Sequence, residues 1–422
     1  MSENILAPNP WMILPFALLL GAIALAPLLA PRWWSRHYPK IALGPGVITL
    51  GYYLLVLRAP DRVLHVAHDY ASFILLVGSL FVVAGGIHIH VKGEATPSVN
   101  VVFLLIGAVL ANVFGTTGAA MLLIRPWLRM NQYRVTAHHV VFFIFIVANV
   151  GGCLTPIGDP PLFLGYLQGI PFWWVAEHCW RIWVLGVVIL LVMFYVVDRR
   201  NFLRAPREIR QRETAPEPWK FDGLTNVFFL GLILVAVFIH HPVFLREGIL
   251  LAAAAGSYWT TRRAVHEANH FNFHPLWEVA ILFMGIFATM IPALDWLDWH
   301  ARVLLGAQPA PAFFYFGTGT LSTMLDNAPT YLSFLSALSG ATGVRDVGEL
   351  LVGNALNLAA ISVGAVFFGA ATYIGNGPNF MVKAIADHEK VRTPTFLEFI
   401  WKFTLPFLLP MLLAVWLVFF RG

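Results

Sequence analysis

A twelve-residue phrase that no regular helix accommodates occurs twice in this chain, 217 residues apart: GCLTPIGDPPLF at 152–163 and GAATYIGNGPNF at 369–380. Six of the twelve positions are identical, pairing Gly152 with Gly369, Thr155 with Thr372, Ile157 with Ile374, Gly158 with Gly375, Pro161 with Pro378 and Phe163 with Phe380. Chance gives roughly one match at ordinary residue frequencies. Both copies interrupt apolar segments. Inside a bilayer, broken helix is tolerated only where protein buries it or a wet cavity lies beside it, and matching breaks in two halves of a chain point to a transporter's binding site.

Composition supports the bilayer setting, since 59% of residues are hydrophobic, 12% are charged and the mean hydropathy is +0.73. A soluble chain of 422 residues has no interior large enough for that much apolar surface. The formal net charge of +5 is no nucleic-acid signal, because Arg and Lys gather in a few short loops as the positive-inside rule requires. The two cysteines, Cys153 and Cys179, form neither a disulfide framework nor a metal pattern. Residues 11–30 are long enough to span and lack a basic leader, which predicts a retained helix.

Basic loops then orient the spans. Segment 11–30 runs inward to Arg32, Arg36 and Lys40, 41–57 returns, and 71–89 comes back toward Lys92. Segment 100–124 is interrupted at 115–118 and leads to Arg125, Arg129 and Arg134, so both its ends are cytoplasmic and it reads as a re-entrant hairpin. Segment 138–167 goes outward through the first break and 174–197 returns to loop 198–220, which holds seven basic against four acidic residues. Segments 223–239, 243–260 and 275–293 give three further crossings. A second hairpin at 309–338, a broken helix at 352–384 and an exit at 396–420 complete the chain.

Each half therefore holds five crossings, and an odd number inverts the second copy. The expected architecture is an all-α polytopic membrane protein of two inverted repeats, 1–210 and 211–422, each with a hairpin and a broken helix converging near the midplane. Both termini are expected outside, in a cell's inner (plasma) membrane.

The expected site is built from hard oxygen ligands and free backbone groups, which suit Na⁺ or an anion. The first break offers Thr155 and Asp159, the second Thr372, Asn376 and Asn379, the first hairpin Thr116 and Thr117, and the second Asp326, Asn327 and Thr330. Asp159, Asp326 and Asn376 are the expected Na⁺ ligands. A carboxylate at membrane depth costs at least about 2.5 kcal/mol, so Asp159 and Asp326 are functional candidates by default; each also precedes a helix that its side chain could cap. Asn376 stands where Asp159 does but cannot titrate. Glu278, His88 and His90 are weaker candidates, with interfacial solvation the simpler account. The aromatic cluster at His178 and Arg181, and Asp295 with Trp296, Asp298 and Trp299, read as interfacial anchors.

The motif ANVGGCLTPIGDP at 148–160 resembles the first broken-helix motif of NhaD-type sodium/proton antiporters, and MLDNAPT at 324–330 resembles the second-hairpin motif of the ion-transporter superfamily. That superfamily also includes citrate transporters, divalent-anion/sodium symporters and arsenite permeases. The resemblance implies substrate and Na⁺ between hairpin tips and broken helices, and a homodimer assembled through a scaffold domain. This chain departs from the antiporters at Pro160-Pro161, where they carry hydroxyl residues, and it lacks the Ser-Asn-Thr signature of the dicarboxylate symporters.

Three readings follow: sodium/proton antiport, for which the two carboxylates speak; Na⁺- or H⁺-coupled carriage of citrate or another carboxylate; and oxyanion permeation. The partners expected are the lipid bilayer, a small inorganic cation and a proton, with a carboxylate in the second reading. No cofactor is expected beyond Na⁺ as coupling or transported ion. An enzyme is not expected, since no phosphate-binding loop, metalloprotease motif or serine elbow is present.

Overall fold

The computed structural model describes residues 8–90, 96–204, 220–239, 241–242 and 244–421. The expected repeat boundary at 210/211 lies outside the described residues. The protein is an all-α polytopic membrane protein; among the described residues seven helices are long and apolar enough to cross a bilayer by length and composition, one of them interrupted at Gly115. In chain order the first are α1 (Pro10–Leu29), α2 (Pro31–Val56) and α3 (Pro60–Gly85). Proline opens each of them, at the helical position where a missing N–H costs nothing.

The first hairpin, α4, runs Pro97–Met130 and is broken at Gly115, whose φ of 72° and ψ of 157° suit glycine alone. A straight helix of 34 residues would extend about 51 Å, far beyond the roughly 30 Å hydrocarbon core. The chain turns back instead. Asn100 and Asn131 exchange side-chain hydrogen bonds of 2.8 and 3.1 Å, and Phe103 stacks on Trp127 at 5.4 Å, so residues at nearly equal separations before and after Gly115 meet.

The first broken helix has arms α5 (Ala137–Ile146) and α6 (Pro160–Leu167), joined by irregular backbone with one 3-10 turn at Val150–Gly152. It is followed by α7 (Trp174–Arg204). In the second half come α8 (Asn226–Val237), α9 (Leu245–Thr260), α10 (Arg263–Ala268) and α11 (His274–Leu305). The second hairpin comprises α12 (Pro311–Ser322) and α13 (Asn327–Thr342), and its arms meet through Phe314 and Phe334 at 6.4 Å. The second broken helix has α14 (Val347–Gly353) bent by 96° from α15 (Ala355–Phe368), then α16 (Gly377–His388) beyond the break; α17 (Phe396–Phe420) ends the chain.

The arms preceding the two breaks are the protein's most enclosed helices. Residues 138–146 and 357–368 are buried on every side, as expected for helices that are apolar all round. Lipid-facing surface belongs to the long flanking helices, where Leu55 and Val303 are 80% and 87% exposed.

Three expectations change in detail. Segments 223–239 and 243–260 were expected to cross, but α8 and α9 have only 12 and 16 residues and rise about 18 and 24 Å, less than the hydrocarbon thickness. Segment 71–89 does not stay helical to its end: α3 stops at Gly85, and His88–His90 pairs antiparallel with Lys220–Asp222 in a two-stranded ribbon. Asp295 is no simple interfacial anchor. It is buried, accepting from Tyr53 Oη and Arg62 Nη2, both at 2.7 Å, and so ties α11 to α2 and α3.

Candidate ion and substrate site

Each break is fastened to its neighbouring hairpin by a threonine. Thr155 Oγ1 donates to the carbonyl of Asn112 at 2.6 Å and accepts from Gly158 N–H at 3.1 Å. Thr372 Oγ1 donates to the carbonyl of Thr323 at 2.6 Å and accepts from Gly375 N–H at 3.0 Å. The two glycines are required by close approach rather than by φ. A Cβ on Gly158 would lie 2.1 Å from the Gly152 carbonyl, and one on Gly375 would lie 2.7 Å from that of Ser322.

Helix interruption leaves backbone groups that must be satisfied, and asparagines do this work. Asn379 Nδ2 donates to the carbonyls of Gly369 and Thr372 at 2.8 and 2.9 Å. Asn149 Nδ2 donates to the Ile144 carbonyl at 2.8 Å and to Asn379 Oδ1 at 2.6 Å, joining the two breaks. Asn112 Nδ2 reaches the Gly151 carbonyl at 2.7 Å, while its Oδ1 accepts from Leu154 N–H at 2.9 Å.

Within this frame Asp159 is completely buried. Its Oδ1 accepts from Thr116 Oγ1 at 2.6 Å and from Asn376 Nδ2 at 3.2 Å, and its Oδ2 accepts from Asn327 Nδ2. The donors come from the first hairpin, the second break and the second hairpin, while the carboxylate belongs to the first break. All four irregular elements therefore meet at one side chain. Among the described residues, no Lys, Arg or His pairs with it.

The ten residues expected at the site differ in what they touch. Thr116, Asp159, Asn327 and Asn376 form the contact set. Thr155, Thr372 and Asn379 hold the breaks and hairpins together through backbone partners. Asp326 caps α13, accepting from Ala328 N–H at 3.1 Å, and is not among the hydrogen-bond partners of Asp159. Thr330 Oγ1 donates back to the Asp326 carbonyl at 2.9 Å. Thr117 lies beside Thr116 in a small cleft between the first hairpin tip, Ile157 and the α3 residues Phe73, Leu76 and Leu80.

Asn327 carries a further clue. Its Oδ1 is buried without a hydrogen-bond donor, while its amide nitrogen serves Asp159. An unsatisfied buried acceptor is costly, and together with the Asp159 carboxylate and the Thr116 hydroxyl it supplies the oxygen chemistry that a hard monovalent cation takes.

The weaker candidates lie elsewhere. His88 Nδ1 bonds Asn269 Oδ1 at 2.6 Å and His90 Nε2 bonds Asp222 at 2.6 Å, both in the ribbon region. Glu278 sits one turn into α11 and has no part in the Asp159 network.

Sequence reasoning missed Asn112 and Asn149, whose signal was an amide within an apolar segment. It also missed a buried polar knot at the open end of the first hairpin. There Asp198 of α7 accepts from both terminal nitrogens of Arg134 and from Asn100 Nδ2 at 3.0 Å, and lies 3.3 and 3.1 Å from the Nε2 atoms of His138 and His139. The adjacent His138-His139 pair was the available signal. Arg134 already occupies the carboxylate, so the knot reads as an anchor joining α4, α5 and α7.

No curated protein matches this chain. A family model described as "Putative citrate transport" matches residues 6–420, nearly the whole sequence. The hairpins, the breaks and the carboxylate at their junction thus lie inside that match, and the chain belongs to this family of membrane transport proteins.

Proposed function

We propose that the protein is a secondary transporter that carries citrate or a related carboxylate together with Na⁺ or a proton, with Asp159 as the coupling group. The observation that carries this reading is the convergence of Thr116, Asn327 and Asn376, one from each of three irregular elements, on a fully buried Asp159. The family match favours the carboxylate as cargo.

Physical chemistry supplies the coupling. Two unit charges about 4 Å apart repel by roughly 4 kcal/mol at the effective dielectric typical of protein sites. An anionic substrate therefore approaches an ionised Asp159 only after a cation or proton has neutralised it. With the carboxylate neutralised, the amide N–H groups of Asn327 and Asn376 and the Thr116 hydroxyl become available to the substrate's oxygens. Movement of either hairpin against either break alters the shell around Asp159, so occupancy and conformation are linked. In the inverted-repeat reading, the two halves supply alternating access around this point.

Sodium/proton antiport is the second reading, favoured by the lack of any cationic side chain in the Asp159 shell, where a tricarboxylate would need one. Purified protein in proteoliposomes distinguishes the two. Labelled citrate uptake driven by an inward Na⁺ or proton gradient is expected. Na⁺-driven proton movement in citrate-free vesicles, with no citrate uptake under either gradient, would overturn the carboxylate reading and leave antiport.

A further inference from the structure

Arg125 lies on the second arm of the first hairpin, nine residues beyond Thr116 and hence about 14 Å along the helix from the Asp159 shell. Basic residues at this end of the hairpin are expected to mark the cytoplasmic side by standing in water. Arg125 does not stand there. It is only 8% exposed, and its Nε and Nη1 are buried with no hydrogen-bond partner. Among the described residues it makes no ion pair; the charges that act on it from a distance are Glu389, just past α16, and its own neighbour Arg129, which is exposed.

A stranded guanidinium is a poor structural element. Arginine is always charged, its planar donors match carboxylate oxygens, and a buried charge left without a counter-ion destabilises the fold that holds it. The second hairpin has nothing like it. Its arm α13 carries no Asp, Glu, Lys or Arg over 327–342. The feature is therefore specific to one hairpin, and on the sequence's orientation it belongs to the cytoplasmic side. It is a cationic group about 14 Å from the Asp159 shell, which has none of its own.

We propose that Arg125 is a binding residue for a carboxylate of the transported anion, on the route between the Asp159 site and the cytoplasm. The proposal rests on the carboxylate reading above. The anion's charged group completes the donors of Arg125 when the hairpin and α16 part on the inner side, and the stranded guanidinium favours that state only when the substrate is present. The ligand class is the di- or tricarboxylate of the carboxylate reading, one of whose carboxylates matches the planar donors of Arg125.

The test uses full-length protein reconstituted in one orientation, with citrate as probe, comparing Arg125→Gln, Arg125→Lys and the control Arg129→Gln. Arg125→Gln is expected to raise the half-saturating citrate concentration on the inner face by about tenfold or more, the factor carried by one lost charge-assisted hydrogen bond. The outer-face value is expected to stay within about twofold, which is ordinary variation for a group that makes no contact there. Arg125→Lys should recover part of the loss, and Arg129→Gln should behave as wild type. Thermal unfolding without citrate should be no lower in Arg125→Gln than in wild type. Citrate transport by wild type with an unchanged inner-face value in Arg125→Gln would overturn the role of Arg125 alone. A lowered unfolding temperature with unchanged citrate parameters would make it a structural residue and overturn it equally. Wild type that neither transports citrate nor is stabilised by it would instead sink the carboxylate reading itself.

Discussion

The Asp159 carboxylate accepts a hydrogen bond from the Asn376 amide at 3.2 Å, and the two residues occupy the same position of the repeated phrase, 217 residues apart. Equivalent positions of the two breaks are thus in direct contact. The contact pairs unlike groups, one that ionises and one that only donates and accepts hydrogen bonds, so only the first-half member of this pair can carry a charge.

That pairing gives a swap experiment. Asp159→Asn is expected to abolish coupled uptake, because an amide neither binds a proton nor neutralises a cation. The exchange Asp159→Asn with Asn376→Asp moves the carboxylate by one hydrogen bond across the same contact. It is expected to restore ion-dependent substrate binding to within roughly tenfold of wild type, about 1.4 kcal/mol. Binding assays on purified protein read both. A swap no better than the single Asp159→Asn variant would show that the carboxylate must come from the first break.

Competition between ion and proton is expected at the same group. A protonated Asp159 offers no charge to Na⁺, so apparent Na⁺ affinity should rise with pH and then level off once the carboxylate is fully ionised. Asp159→Asn should flatten this dependence. Isothermal titration at a series of pH values checks it, and a pH-independent wild type would count against Asp159 as the coupling site.

The threonine fastenings predict stability effects rather than ion effects. Thr155→Val and Thr372→Val each remove a hydroxyl that donates to a part-buried hairpin carbonyl, at 2.6 Å in both cases, and leave that carbonyl without this donor. Each should cost about 0.5–1.5 kcal/mol, seen as a lower unfolding temperature in detergent. Unchanged stability with lost Na⁺ protection would return these residues to the role of ion ligands.

Asp198→Asn should be more damaging than either threonine variant. Its carboxylate neutralises Arg134 inside the protein, and removing one partner of a buried pair costs about 3–5 kcal/mol. Arg134→Gln should cost a similar amount, and the double variant less than the sum. Full additivity in thermal or denaturant unfolding would mean that the two do not act as a pair.

His88, beyond the end of α3, gives a pH effect on stability with a definite sign. Burial, and to a lesser degree the charges of His90 and Arg129, hold its imidazole below the ordinary value, against the Asn269 hydrogen bond and the charge of Asp222. The unfolded chain therefore binds more protons in the window below about pH 6.5, so stability falls as pH drops through that window and is fully present above it. His88→Gln should shallow the acid limb of the unfolding profile. An identical limb in the variant would place the titrating group elsewhere.

The repeated phrase, the break at Gly115 and the membrane class were legible in the sequence because they depend on local chemistry. Gly115 permits a turn that no other residue enters cheaply, proline at a first helical position needs no N–H partner, and 20 apolar residues fill a bilayer wherever they occur. The same local rules nominated Thr155, Thr372, Asn379 and Asp159 alike, because each is a polar group inside an apolar segment. Only tertiary structure divided them. Whether a hydroxyl meets a carbonyl of the adjacent hairpin or a carboxylate depends on contacts between residues 43 to 230 positions apart, which no local pattern encodes. The burial of Arg125 was decided in the same way: its charge is a property of the sequence, and its want of a partner is a property of the packing around it.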